Sequence, residues 1–157
     1  MTSIHSLLAP LWPHAETSER IQALIQRWQE DLDRKDRYSG RHAIVAALLA
    51  AELAARLDLK REQVSALWLA GHLYDLGKIS VPEHILAKNG SLSVAELLAV
   101  RNHVSFGYDL LRDWELWRAS PRWLAQEVLD TVLHHHERWD GHGYPRGLKG
   151  KQIPFHA

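Results

Sequence analysis

The sequence has no cysteine in 157 residues. That excludes disulfides, cysteine-held metals and thiol catalysis, and it fits a reducing cytoplasm. Net charge is also lacking, because 19 basic residues balance 19 acidic ones. Without a basic excess there is no general attraction to a nucleic-acid polymer or an anionic membrane. An anionic ligand must therefore be met by a local site. No apolar run is long enough to span a bilayer. Met1 to Pro13 lacks the basic start of a secretory signal and is interrupted by Pro10 and Pro13. There is no internal repeat and no low-complexity tract.

What is present is a chain of one-domain length with an ordinary balance of 46% apolar and 24% charged residues. A domain of this size buries roughly 70% of its unfolded surface. The histidines are many, 11 in all, and they cluster. Three stand together at His134, His135 and His136, and a loop containing Gly141, Gly143 and Pro145 follows. Imidazole is the commonest metal-binding side chain, and glycine lets backbone approach a ligand closely. The stretch reads either as a metal site with a substrate-facing lip or as a helix end before an ordinary turn.

Periodicity predicts helices throughout and no strand. Ile21, Leu24, Ile25, Trp28 and Leu32 form one face of a helix over 16–36. His42 opens an alanine- and leucine-rich helix to Leu57, apolar on most of its circumference and so expected at the centre of a bundle. Arg61 to Leu76 is the next helix, with Gly77 as its C-terminal stop. Val81 should be extended because it precedes Pro82. Ser93 and Glu96 have capping-box spacing at the start of a helix ending near Gly107. A short amphipathic piece follows over 109–117. Ser120 and Pro121 read as a cap with proline in the first helical position. That last helix runs through Leu124, Val128 and Leu129 to the histidines. The class is all-α, a multi-helix bundle.

Several helices each carry a metal-ligand side chain: His42, Asp75, His103, and the pair His135 and His136. Asp75 near a helix C-terminus is disfavoured by the helix dipole, and a cation would offset that. Imidazole and carboxylate without thiolate suit iron, manganese or zinc. Lys78 reads as a compact charge facing a phosphate, or as a solvated lysine that the dipole favours.

In order, His42, Tyr74-Asp75-Leu76-Gly77-Lys78, His103 with Gly107, His135-His136-Glu137, Asp140-Gly141-His142-Gly143-Tyr144-Pro145, Gly147-Leu148 and Ile153-Pro154 resemble the HD-GYP domain. This is a subgroup of the HD metal-dependent phosphohydrolases. The resemblance covers about 31–157, and divides the chain into an N-terminal segment 1–15 and a partial domain 16–157. It implies a helical bundle holding iron or manganese that hydrolyses the 3'-5' phosphodiester bond of cyclic di-GMP to pGpG or GMP. The metal ligands it implies are His42, Asp75, His103, His135 and His136. It implies Asp75 and Lys78 as catalytic residues, with Lys78 on the substrate phosphate. Asp140, Gly141, Gly143, Tyr144 and Pro145 would form the signature loop. In that family role a metal-activated hydroxide attacks phosphorus while Lys78 and the metals offset the growing charge.

Three departures qualify the expectation. Tyr74 stands where the family has the histidine of its His-Asp pair. A phenol must lose its proton to bind a metal well, and His72, three residues before Asp75, is a candidate substitute on the same helix face. Tyr38 stands where some members carry a glutamate that supports a third metal, so two ions at most are expected. The family continues beyond the position of Ala157 into a helix that supplies a further aspartate. A bundle lacking its last helices would expose an apolar flank, inviting association into a homo-oligomer. Impaired turnover is therefore one expectation. Another is an inactive signalling module that binds nucleotide or a partner signalling domain. A di-iron redox bundle is a third, opposed by the signature loop and Lys78.

Overall fold

The structure is a computed structural model that describes residues 15–35 and 39–157. Tyr38, on which the two-ion expectation rests, lies outside the described residues, as do residues 1–14 of the N-terminal segment. The described residues form an all-α bundle without strands. Its helices are α1 (Ala15–Lys35), α2 (Ser39–Arg56), α3 (Arg61–Leu73), α4 (Glu83–Leu86), α5 (Val94–Arg101), α6 (His103–Arg112) and α7 (Arg122–His134). Short 3-10 turns occupy Leu76–Ser80, Glu115–Ala119 and Gly150–Gln152.

The central element is α3, which packs on α2 along one side and on α7 along the other. Its Ala66, Trp68, Leu69, Ala70 and Leu73 are all buried. This corrects the expectation for α2. Its buried face is the small-residue one, Ser39, Gly40, Ala43, Ala47, Ala51 and Ala54, while Ile44, Val45, Leu48, Leu49 and Leu53 are 41–64% exposed. Alanine and glycine let two helices approach closely, and Gly71 of α3 lies directly against the Ala47 backbone. The larger apolar side chains of α2 therefore point outward. The predicted stripe of α1 does face the core, with Ile21, Ile25 and Leu32 buried.

Two predicted boundaries move. Gly77 is not a left-handed stop: α3 ends at Leu73 and the chain passes through Tyr74 and Asp75 into the Leu76–Ser80 turn. The need for glycine there is close approach, since a Cβ at Gly77 would run into the His103 carbonyl. Likewise the helix capped by Ser93 ends at Arg101, and Gly107 lies inside α6. There a Cβ would come within 3.2 Å of the Gly77 nitrogen. The two glycines form a backbone crossing that seats α6 on the turn. From the other side, the Lys35 ammonium of α1 donates to the carbonyls of Ile79 and Val81. The Ser93–Glu96 capping box and the extended Val81 are as expected. Pro121 is the cap of α7 itself, one position earlier than predicted.

Candidate metal centre

Three chain segments meet around one point. The end of α3 delivers Asp75, the first residue of α6 is His103, and the end of α7 delivers His135 and His136. One ligand atom from each of these four residues lies within 4.8 Å of all the others. Asp75 and His103 are buried, at 3% and 1% exposure.

Hydrogen bonds fix which imidazole nitrogen faces inward. His103 Nδ1 lies 2.7 Å from the Val100 carbonyl, and His135 Nδ1 lies 3.0 Å from the Val132 carbonyl. A carbonyl only accepts, so each Nδ1 is the protonated nitrogen and each Nε2 of the neutral ring carries a lone pair. Those two Nε2 atoms are 3.3 Å apart, and Asp75 Oδ1 lies 3.3 Å from one and 3.9 Å from the other. Asp75 Oδ1 is buried without a hydrogen-bond partner. Three acceptors thus face one another with no hydrogen between them. A buried arrangement of this kind is costly alone and suits a shared cation, with backbone carbonyls orienting the imidazoles from behind. The residues present fit a divalent metal.

Electrostatics point the same way. Burial lowers His135 to about 4, so the ring is neutral at pH 7. Burial also lowers His136. Burial opposes ionisation of Asp75, yet the Lys78 ammonium beside it holds its carboxyl below the ordinary range. Lys78 donates to Asp75 Oδ2 at 2.8 Å, leaving Oδ1 as the inward oxygen.

The other predicted ligands stand apart from this group. His42 on α2 is exposed, with its ring centroid 6.4 Å from that of Tyr74. Tyr74 stands edge-on to His135 at 4.9 Å, so a phenol separates His42 from the four-residue cluster. Burial, and then the Asp75 charge, push the Tyr74 hydroxyl upward, so it keeps its proton. His72 does not replace the missing imidazole. Its Nδ1 is 2.6 Å from the Gln29 amide and its ring packs edge-on against Trp68, between α1 and α3. A three-residue step on a helix aligns side chains only within the helix, and the chain leaves helical geometry between His72 and Asp75. His134, the first of the three consecutive histidines, is buried towards Glu137 instead, Nδ1 to Oε1 3.6 Å.

The signature loop closes one side of the cluster. Gly141 adopts φ +82°, a conformation L side chains resist. Gly143 lies so near the Glu137 and Arg138 backbone that a Cβ would not fit. Asp140 faces outward, where it pairs with Arg138 and accepts from the His142 amide at 2.9 Å. Glu137, its side chain fully covered, accepts from the amides of Arg146 at 2.8 Å and Leu148 at 2.9 Å. The loop so pinned lays the Tyr144 ring on His136, 4.6 Å between centroids and 19° between planes. The Tyr144–Pro145 peptide is cis. An open groove of about 420 Å³ runs in front, lined by Arg101, His135, His136, Arg138, His142 and Tyr144 among others. Sequence reading missed Arg101 and the pinning role of Glu137. Glu137 lies inside the quoted motif, whereas nothing in the pattern distinguishes Arg101 from any basic residue in a last helical turn.

Comparison with known proteins gives the family. The family model described as "HD domain" matches residues 19–157. A cyclic di-GMP phosphodiesterase of Pseudomonas aeruginosa is 40% identical over 126 residues, 80% of this chain and 29% of that protein. A cyclic di-GMP phosphodiesterase response regulator of Xanthomonas campestris is 33% identical over 144 residues, 90% of this chain and 36% of that protein. A 3'3'-cGAMP-specific phosphodiesterase of Vibrio cholerae is 32% identical over 137 residues, covering 87% of this chain and 25% of that protein. The chain thus spans from a quarter to about a third of the length of these curated relatives.

Proposed function

Since the chain belongs to the HD domain family, we propose that it is an HD-GYP-type module that hydrolyses the 3'-5' phosphodiester bond of cyclic di-GMP with a divalent metal. The observation that carries this reading is the meeting of Asp75 Oδ1 with the inward lone pairs of His103 and His135. Iron or manganese suits such a set of imidazoles and a carboxylate without thiolate, and Tyr38, in place of a glutamate, supports two ions at most.

When bound, the ion supplies Lewis acidity and makes water a nucleophile at neutral pH. The chain supplies the rest. Asp75 brings the anionic charge, and His103, His135 and His136 bring imidazole nitrogens. Lys78, 22% exposed and anchored on Asp75 Oδ2, faces outward as the charge that offsets a phosphoryl group gaining electrons. The His136–Tyr144 stack walls one side of the substrate position, and Glu137 keeps that wall in place through the backbone. Product identity, pGpG or GMP, follows from whether the linear product is released or cleaved again.

A second reading has its own support. Tyr74 keeps its proton and separates His42 from the cluster, which favours a module that binds nucleotide or a partner signalling domain without turnover. Incubation with cyclic di-GMP and manganese or ferrous iron, followed by product separation, tests the two. Linear product supports the phosphodiesterase. Bound metal and bound nucleotide without product support the module. Oxygen-dependent colour change without either would turn the reading to a redox bundle.

A further inference from the structure

The groove in front of the cluster carries one cation whose donors are unspent. Lys78, held on Asp75, is assigned to the reacting phosphate, and Arg138 pairs with Asp140. Glu137 borders the same groove, but its carboxylate is covered and taken up by two backbone amides. Arg101 differs from both cations. It ends α5, two residues before His103, and among the described residues no carboxylate pairs with it. Its partner is the Tyr144 ring, with the guanidinium carbon 5.1 Å from the centroid. A cation held on an aromatic face is attracted by the ring quadrupole and keeps its in-plane N–H groups available. Those groups form a fork that matches phosphate oxygens.

The same Tyr144 ring lies on His136. The Tyr144 ring therefore links the Arg101 guanidinium in the groove to the His136 imidazole of the cluster. The reacting phosphate is assigned to Lys78 on Asp75, whereas Arg101 rests on Tyr144. A ligand that engages both must carry a second anionic group.

We propose that Arg101 is a specificity-determining residue that binds the second, non-reacting phosphate of a cyclic dinucleotide. The proposal rests on the phosphodiesterase reading and deepens it. It makes the number of phosphates, rather than the identity of the base, the first feature this groove selects. Tyr144 serves as the platform that aims the guanidinium.

The experiment uses the manganese-loaded full chain, Arg101→Ala and Arg101→Lys. Equilibrium dialysis with cyclic di-GMP gives affinity, and steady-state hydrolysis compares cyclic di-GMP with bis(p-nitrophenyl) phosphate, a diester with a single phosphate. Arg101→Ala is expected to weaken cyclic di-GMP binding about tenfold, the size of one charge-assisted contact. The loss in kcat/KM should be several-fold larger for cyclic di-GMP than for the single-phosphate diester and should fall on KM. Lysine should restore part of it, since it keeps the charge and loses the fork. Unchanged binding would overturn the proposal. So would equal losses on both substrates, or reduced manganese content in the variant. If the wild-type chain binds cyclic di-GMP without turning it over, the phosphodiesterase reading fails while weaker binding by Arg101→Ala still supports the contact. If the wild-type chain does not bind it, both fall.

Discussion

The two sides of Tyr74 are built differently. On one side, Asp75, His103, His135 and His136 bring four ligand atoms within 4.8 Å of one another. The imidazoles of His103 and His135 are oriented by backbone carbonyls, and that of His136 is stacked on Tyr144. On the other side, His42 is exposed and stands edge-on to the Tyr74 ring, which in turn stands edge-on to His135. The difference teaches that loss of one ligand need not loosen the rest. The complete side is held by the meeting of α3, α6 and α7, and Tyr74 takes no part in the hydrogen bonds that hold His103 and His135. The depleted side depends on α2, whose packing on α3 runs through alanines and leaves its bulky face free.

The largest expected effect comes from breaking the complete side. Asp75→Asn removes the anionic oxygen and should lower metal affinity at least about 100-fold, since even outer partners of a ligand are worth 10–100-fold. Titration calorimetry with manganese would read it, and an affinity within threefold of wild type would contradict the assignment. Next, Tyr74→His restores the missing imidazole beside His42. It should raise metal affinity or turnover about tenfold, in the range typical of an outer-shell contribution; no gain would mean that the depleted side is limited by something other than this ligand.

His42→Ala should then do little in the natural background, roughly threefold or less in metal affinity, and clearly more beside Tyr74→His. Coupling of that kind is the signature of two groups sharing one site, and independent effects would separate His42 from the centre. The smallest effect on metal belongs to His72→Gln, which should leave metal content unchanged because His72 bonds Gln29. Its consequence lies in stability. Burial lowers His72 from 6.5 to about 4. Between those values the unfolded chain binds a proton that the folded chain refuses, so stability falls as pH drops through that window. Urea denaturation at pH 7 and pH 5 should show a smaller acid loss in the variant; an equal loss would mean His72 is not the group responsible.

Much of this was legible in the sequence. The stripe of α1, the Ser93 cap and the core positions Leu124, Val128 and Leu129 follow from periodicity and local chemistry. The site residues Asp75, His103, His135 and His136 stood out because polar ligands interrupt apolar helices. The errors share a cause: local pattern was asked a question only packing answers. The apolar ring of α2 concealed that its alanines, rather than its leucines, would be the contact. Gly77 and Gly107 looked like punctuation and turned out to be places where two backbones touch. His72 had the right spacing from Asp75 but sat on a helix that stops before Asp75. Arg101 gave no signal, since its meaning depends on a ring 43 positions away along the chain.

The contact between Gly77 and Gly107 has a consequence for ion choice. It fixes the gap between Asp75 and His103 by main chain against main chain, where no rotamer can adjust. The bite of the site is then a rigid gauge. A single methyl group at Gly77 would pry the jaws apart, and the radius of the preferred ion would shift with them.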